Sequence, residues 1–173
     1  NVSLTDTNAM ILGNANGSST VSGTLTVIAG GALTQAGTLS VTGTTDITAG
    51  SANSITLTNS ANDFTGGVRI VSGKDVSLTD AGAIVLGNAN GASAVSGNLV
   101  VAASGAVTQA GALSVGGTTS LTAGSANNIT LTNSANDFTG GIRIVSGKDV
   151  SLTDASAIVL GNANGASAVS GNL

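Results

Sequence analysis

The stretch VRIVSGKDVSLTDAGAIVLGNANGASAVSG, residues 68–97, decides the fold of this chain because it is repeated almost letter for letter. It returns at residues 142–171 with two substitutions, and a partial copy, NVSLTDTNAMILGNANGSSTVSG, occupies residues 1–23. Equivalent positions in the copies are 74 residues apart. A fixed period of this kind is the signature of a solenoid or another repeat array. The 74-residue period therefore predicts a repeat array.

The repeat divides the chain without marking a domain boundary. We expect one continuous repeat segment over residues 1–173. It consists of a partial repeat over residues 1–67, a full repeat over 68–141 and a partial repeat over 142–173.

Each 74-residue repeat contains a shorter, degenerate one. VSLTDAGAIVLG (76–87), AVTQAGALSVGG (106–117) and NITLTNSANDFTGG (128–141) each begin with an alternating strand that ends in Thr followed by Asp, Gln or Asn. This threonine recurs at spacings of 29, 24 and 21 residues, then again at 29, 24 and 21, at Thr5, Thr34, Thr58, Thr79, Thr108, Thr132 and Thr153. The spacing predicts about seven turns, three per 74-residue repeat.

Alternation within the strands predicts which side chains face inward. In VSLTD, Val76 and Leu78 point to one side of the strand and Thr79 to the other. Leu131 and Val107 are the equivalent inward positions of other turns. Apolar residues recur at period 2 rather than 3.6, and β-branched residues dominate, so helices are disfavoured. Three strands per turn, with Gly, Asn, Asp and Ser at the corners, predict an all-β parallel β-helix whose stacked strands lie about 4.8 Å apart.

The 29-residue turn contains an additional segment, NANGASAVSG, at residues 88–97, 14–23 and 162–171. Asn-Gly favours a tight turn with positive φ. We therefore predict a protruding loop or small hairpin that recurs every third turn on one side of the coil.

Composition excludes several classes of function. Only 7% of the residues are charged, the net charge is −4, and the chain has no Pro, Cys, Trp or His. Four basic residues, Arg69, Lys74, Arg143 and Lys148, are too few for a nucleic-acid-binding surface. No apolar run approaches the ~18 residues of a membrane-spanning helix.

The corner residues Asp80, Gln109, Asn133 and Asp154 are expected to form a column if the turns stack. We interpret this column as a polar ladder whose side chains bond between turns. Calcium is the alternative, but one carboxylate per three turns supplies too few oxygen ligands. We therefore expect no metal, no cofactor and no calcium requirement for folding.

A second group of polar residues, near residues 68–80, contains Arg69, Lys74, Asp75, Asp63 and Asp80. We expect a solvated corner with weak surface ion pairs. The alternative is a carboxylate cluster like that of β-helical polysaccharide-cleaving enzymes. The cluster recurs almost unchanged in the next copy, and the chain has neither a histidine base nor aromatic residues suited to stacking on sugars. We therefore expect no catalytic or cofactor-binding residues and no enzymatic activity.

An outward column of Thr58, Thr79 and Thr108 resembles an ice-binding face. Such threonines are also simply suited to β-strands. Ice binding is a remote alternative.

The sequence NLVVAASGAVTQAGALSVGGTTSLTAGSANNITLTNSANDFTGG, residues 98–141, resembles the repeats of filamentous-haemagglutinin-like bacterial exoproteins. The resemblance extends over the whole chain and rests on composition and on the pattern GAxTQAGxLxVxGTTxLxAGxxNxITLTNxxNDFxG. It implies a right-handed parallel β-helix in the shaft of a large adhesin, exported by two-partner secretion through an outer-membrane partner. The implied location is extracellular, at the surface of a Gram-negative-type bacterium, and the implied partners include host or cell-surface glycans.

From these features we expect the structural shaft of a secreted or surface-attached fibre, an adhesin stalk or a matrix filament. A β-helical carbohydrate-binding or carbohydrate-cleaving protein is the alternative. The sequence begins and stops within a repeat, which predicts either a longer array or end-to-end stacking of subunits. The expected fibre has an axial repeat of about 4.8 Å and a coarser one, of three turns, of roughly 14 Å.

Overall fold

Alternating side chains and small-residue corners fold the chain into short strands that coil around one core. A computed structural model, which describes residues 1–173, contains 21 strands and no helix. The strands are β1 (Val2–Asp6), β2 (Met10–Leu12), β3 (Ser19–Val21), β4 (Leu25–Ala29), β5 (Leu33–Gln35), β6 (Leu39–Val41), β7 (Thr45–Thr48), β8 (Ile55–Leu57), β9 (Asp63–Phe64), β10 (Val68–Ser72), β11 (Val76–Asp80), β12 (Ile84–Leu86), β13 (Ser93–Val95), β14 (Leu99–Ala103), β15 (Val107–Gln109), β16 (Leu113–Val115), β17 (Thr119–Thr122), β18 (Ile129–Leu131), β19 (Asp137–Phe138), β20 (Ile142–Ser146) and β21 (Val150–Leu152).

Every third strand stacks in parallel on the same side of the coil, which gives three walls. Wall 1 contains β1, β4, β7, β10, β13, β16 and β19. Wall 2 is one continuous seven-stranded sheet of β2, β5, β8, β11, β14, β17 and β20. Wall 3 contains β3, β6 and β9, then β12, β15, β18 and β21. β12 forms no ladder with β9 and is joined instead to the start of β10, where Leu86 pairs with Val68. The predicted parallel β-solenoid of about seven turns, with three strands per turn, is therefore confirmed.

The register of the walls corrects the prediction of three turns per repeat. Most paired residues are 20 to 23 positions apart, as in Val2 with Leu25, Leu25 with Thr45, and Val76 with Leu99. The 74 residues from β1 to β11 contain ten strands, and ten strands at three per turn make three and one third turns. Each copy is therefore rotated by one third of a turn relative to the previous one. The sequence VSLTD lies in wall 1 as β1 and in wall 2 as β11, and its first three residues form β21 in wall 3.

The source of this error is the 29-residue step between threonine markers. From Thr79 in β11 to Thr108 in β15 the chain makes four strands, whereas the 24- and 21-residue steps make three. The segment at residues 88–97 is therefore not all loop. Only Asn88 to Gly91 forms a hairpin, and Ser93–Val95 is the wall strand β13. The coarser axial repeat becomes about 16 Å instead of about 14 Å, at about 4.8 Å per turn.

The NANG hairpins are accordingly distributed around the coil and do not lie on one side. Each is closed by an antiparallel bridge, between Asn14 and Gly17 in the first copy and at the equivalent positions of the other two. The first hairpin lies between β2 and β3, at the corner of walls 2 and 3. The second lies between β12 and β13, at the corner of walls 3 and 1. The strand segment after the third pairs with wall 2, through Val169 and Gly147.

One core runs along the axis. A single cluster of 32 buried hydrophobic residues links all the turns, and the largest of these side chains belong to Phe64 and Phe138. Leu78, Leu131 and Val107 are all buried, so their predicted inward facing is confirmed. They do not share one column, because Leu78 belongs to wall 2 and the other two to wall 3. The structure contains no helix able to cross a bilayer.

Glycines stack where a corner brings successive turns into close contact. A Cβ added to Gly66 would overlap the carbonyl oxygen of Gly43, one turn away, and a Cβ on Gly43 would meet the backbone of Gly23 in the same way. The corner therefore requires glycine because any side chain would collide with backbone that cannot move aside.

Candidate functional site

Two kinds of polar group stand out from the uniform walls: a buried ladder at the corners and the bases of the hairpins. The ladder begins with Gln35 at the end of β5 and Asn62 in the loop between β8 and β9. Gln35 Nε2 donates to Asn62 Oδ1 at 2.8 Å, and Asn62 Nδ2 donates back to Gln35 Oε1 at 2.8 Å. Asn62 Oδ1 also accepts from the N–H of Leu39 at 3.0 Å, and Nδ2 donates to the carbonyl of Leu57. Asn62 is fully buried, so these bonds replace all the water that its amide has lost.

Asp80 ends this ladder at the place where wall 3 is interrupted. Its Oδ2 accepts from the N–H of Phe64 at 2.9 Å, and its Oδ1 accepts from the N–H of Gly82 at 2.7 Å. Because β9 and β12 form no ladder, the carboxylate supplies Phe64 with the acceptor that a strand would otherwise provide. Burial raises the pKa of Asp80, and this effect exceeds the lowering by the two N–H groups; nearby Asp63 also raises it.

The same ladder recurs in the second copy, one wall further round. Gln109 and Asn136 exchange the two amide bonds at 2.8 and 2.9 Å, and Asn136 is again fully buried. Asp154 accepts from the N–H of Phe138 through Oδ1, while its Oδ2 is buried without a partner. The backbone N–H of Asn133 donates to Gln109 Oε1.

The turns are therefore joined by polar side chains at the corners, as predicted, but the four predicted residues do not form one column. Gln109, Asn133 and Asp154 share one corner, but Asp80 belongs to another, with Gln35. The rotation of the repeat separates them. No group of three or more His, Cys, Asp or Glu side chains that could hold a metal ion occurs. The absence of a calcium requirement remains a prediction, which thermal unfolding with and without a chelator checks; a fall of many degrees on chelation would contradict it.

The charged group expected near residues 68–80 is dispersed over separate corners. Arg69 points to the second hairpin, while Lys74 and Asp75 form an exposed pair at 4.0 Å between β10 and β11. Asp63 lies beside Asp80 at the corner of walls 2 and 3. The expected weak surface pairs are present, and the carboxylates do not converge on one position.

The base of the second hairpin is a built polar contact that crosses two turns. Asp46, on the outer face of β7, accepts from Asn88 Nδ2 at 2.9 Å and from Asn90 Nδ2 at 3.0 Å. Arg69, between them on β10, lies 3.7 Å from Asp46 and donates through Nε to the carbonyl of Ala92 at 3.1 Å. One carboxylate thus holds both asparagines of the hairpin and neutralises the arginine beneath it.

The equivalent position in the second copy differs. Ser120 takes the place of Asp46, and Asn162 Nδ2 makes only longer contacts, to Thr119 O at 3.3 Å and Ser120 Oγ at 3.4 Å. Arg143 keeps its bond to the carbonyl of Ala166 at 3.1 Å but forms no ion pair. The side-chain amide of Asn164 has no hydrogen-bond partner. This hairpin is therefore held by fewer contacts than the second one.

The threonines that resembled an ice-binding face are also divided. Thr58 and Thr79 are neighbours along wall 2, since Leu57 pairs with Leu78, but Thr108 lies in wall 3. The wall 2 neighbour of Thr79 on the next turn is Ala102. The predicted threonine column does not exist as one surface.

None of the four cavities and depressions, one of which is a small void in the core, is lined by an acidic or basic side chain. Two of them lie at the two ends of the coil, around Val2 and Leu12 and around Val150 and Leu173. A third is a shallow groove of small residues beside Ser72 and Ser96.

Sequence analysis missed two residues that the structure singles out, Asn62 and Asp46. Asn62 had a detectable signal, because ANDF returns unchanged around Asn136 and the asparagine is placed two residues before a buried aromatic residue. Asp46 had no such signal. It contacts Asn88 and Asn90, which lie 42 and 44 residues further along the chain, and only the register of the turns brings them together.

Comparison with known proteins identifies the repeat and nothing more specific. The family described as "Repeats of unknown function (DUF5649)" matches residues 1–71 and 73–145, which together make up most of the chain. No curated protein and no solved structure matches the chain.

Proposed function

The chain belongs to the DUF5649 family of repeats, and on that premise we propose that it is a segment of the structural shaft of a bacterial fibre. The observation that carries this proposal is the junction between copies. β11, in the second copy, pairs with β8 of the first copy on one side and with β14 on the other. β21 pairs with β18 in the same register. Because the sheet of wall 2 continues from one copy into the next without a break, copies can be added indefinitely, as a shaft requires.

The ends of the coil support self-association or continuation of the array. Val2 and Leu4 are 37% and 38% exposed, whereas the equivalent Val76 and Leu78 are each 1% exposed. Covering the exposed third or so of each side chain is worth roughly 0.5–1 kcal/mol apiece. We therefore propose that a further turn, from the same chain or from another copy stacked end to end, covers this surface.

The finer assignment follows from the resemblance to filamentous-haemagglutinin-like exoproteins. We infer that the fibre is an adhesin stalk or an extracellular matrix filament, secreted or attached to the surface of a Gram-negative-type bacterium. Its other partners would be an outer-membrane secretion protein and host or cell-surface glycans. The shaft itself performs no catalysis in this proposal and holds no cofactor.

A β-helical carbohydrate-binding or carbohydrate-cleaving protein is the second candidate. Such a protein needs a cleft in which polar groups converge on the sugar. The lack of charged side chains in the depressions favours the shaft over this alternative.

The test is a series of chains with one, two and three inserted 74-residue copies, measured by electron microscopy and screened against polysaccharides. A shaft predicts that particle length grows by about 16 Å per copy at constant width, given a strand spacing of about 4.8 Å, and that no polysaccharide is cleaved. Cleavage that is abolished by a substitution in one turn only would favour the alternative and contradict the shaft.

A further inference from the structure

We propose that the Asn164–Gly165 dipeptide in the third hairpin is a site of spontaneous deamidation, and that Asp46 protects the equivalent Asn90–Gly91 in the second. The two hairpins have the same sequence, NANG, and the same backbone bonds. Asn90 N–H donates to Asn88 Oδ1 at 2.9 Å and Asn164 N–H donates to Asn162 Oδ1 at 3.0 Å. The side chains beneath them differ, and the second hairpin is also covered by the next turn at Gly111. Exchanging the residues at positions 46 and 120 therefore provides the matched control.

The reaction needs no partner other than water. The backbone nitrogen of Gly165 loses its proton and attacks Cγ of Asn164. The Cγ–Nδ2 bond breaks, the nitrogen leaves as ammonia with that proton, and a five-membered succinimide remains. Water then adds to one of the two succinimide carbonyls and opens the ring, which gives either aspartate or isoaspartate. Glycine in the second position favours the attack because it has no side chain to obstruct the approach of its nitrogen.

The first step requires the asparagine side chain to leave its resting position. Asn90 is held, because its Nδ2 donates to the carboxylate of Asp46 at 3.0 Å. This is a bond to a charged acceptor, which is stronger than one between neutral groups. Asn164 has Ser120 beneath it instead of Asp46, and its Nδ2 makes no bond within the chain. Its side chain is therefore free to turn toward the nitrogen of Gly165.

The arginine beneath each hairpin increases the contrast. A Cβ added to Gly165 would lie 3.3 Å from Nη2 of Arg143, and one on Gly91 would lie 3.4 Å from Nη2 of Arg69, so both guanidinium groups are adjacent to the reacting glycine. Asp46 neutralises Arg69 at 3.7 Å, whereas Arg143 forms no ion pair. The uncompensated charge of Arg143 stabilises the negative charge that develops on the nitrogen and then on the tetrahedral oxygen.

The charged groups around the product also favour deamidation at position 164 over position 90. An aspartate formed at position 164 provides Arg143 with the carboxylate that it lacks. An aspartate formed at position 90 would face Asp46, and two carboxylates in one site repel each other. Deamidation thus adds one negative charge to the third hairpin sooner than to the second.

The experiment is incubation of the intact chain at physiological temperature and pH, followed by peptide mass spectrometry that separates aspartate from isoaspartate. In the unmodified protein we expect Asn164 to deamidate about tenfold faster than Asn90, the factor for losing one hydrogen bond to a charged group. Asp46→Ser should bring the rate at Asn90 close to that at Asn164. Ser120→Asp should slow Asn164 to the rate at Asn90.

Equal rates at the two sites of the unmodified protein would overturn the proposal, and this comparison requires no variant to fold. An unchanged rate at Asn90 in Asp46→Ser, with the circular dichroism of the folded chain retained, would overturn the protective role of Asp46. An unchanged rate at Asn164 in Ser120→Asp would show that the position of the hairpin in the last turn, and not the missing carboxylate, determines its reactivity. That result would also refute the inference.

Discussion

Removal of the amide of Asn62 is expected to destabilise the chain far more than removal of the amide of Asn59, only three residues away. Asn62→Ala leaves the N–H of Leu39 without its side-chain acceptor and the amide of Gln35 without its reciprocal partner, both at a buried or half-buried corner. An unpaired buried N–H such as that of Leu39 costs about 1–3 kcal/mol. The amide of Gln35 keeps its bond to the carbonyl of Gly37 but loses its two bonds to Asn62, so we expect a total cost of about 3 kcal/mol. Asn59 Oδ1 accepts from the N–H of Ala61 at an exposed position, where water can replace it.

Thermal unfolding followed by far-ultraviolet circular dichroism measures the difference, since the chain has no Trp or Tyr for fluorescence. A loss of about 3 kcal/mol lowers Tm by roughly 6–12 °C in a chain of this size. Asn59→Ala should lower it by less than about 4 °C. Asn136→Ala, in the second copy, should repeat the large effect. If Asn62→Ala and Asn59→Ala destabilise the protein equally, the ladder does not hold the corner and the reasoning is refuted.

Three further outcomes are expected. Leu78→Asp should cost several kcal/mol because it buries an unpaired charge, while Thr79→Asp on the outer face should be mild; equal unfolding temperatures would mean that the strand faces the other way. Gly66→Ala should disrupt its corner, whereas Gly17→Ala, which has open space around it, should not. Hydrogen exchange of the adjoining amides measures this, and equal protection in the two variants would contradict it. Because the folded state raises the pKa of Asp80, its protonation stabilises the fold fully below the ordinary value of 3.8 and this contribution is lost as pH rises through the raised value. The unfolding free energy should thus gain more on acidification in the unmodified chain than in Asp80→Asn, and parallel pH profiles would contradict this.

The walls of the solenoid could be predicted from the sequence because they depend on local rules. Alternation within VSLTD shows that Leu78 is buried and Thr79 is not, and period-2 patterning excludes helices without any knowledge of the neighbouring turns. The presence of a polar ladder also follows from the residues that end each strand.

The rotation of the copies could not be predicted from the same rules. It depends on whether residues 93–95 form a wall strand or part of a loop, and SAV is too short and too weakly apolar to decide this by itself. Residues 93–95 form a wall strand because of pairing between turns: Val95 forms a parallel bridge with Gly73 of the previous turn. One strand more or fewer transfers every later residue to another wall. Asp46 and the hairpin at Asn88 meet for that reason, and no local pattern in the sequence indicates their contact.

The most direct test of the account is the helical symmetry of an extended array of tandem 74-residue copies, determined by electron cryomicroscopy. The structure predicts an axial rise of about 16 Å per copy, at about 4.8 Å per turn, together with a rotation of one third of a turn. Successive NANG hairpins would then appear on three different corners of the shaft. A rise of roughly 14 Å without rotation, with all hairpins aligned along one edge, would mean three whole turns per copy and would contradict the account.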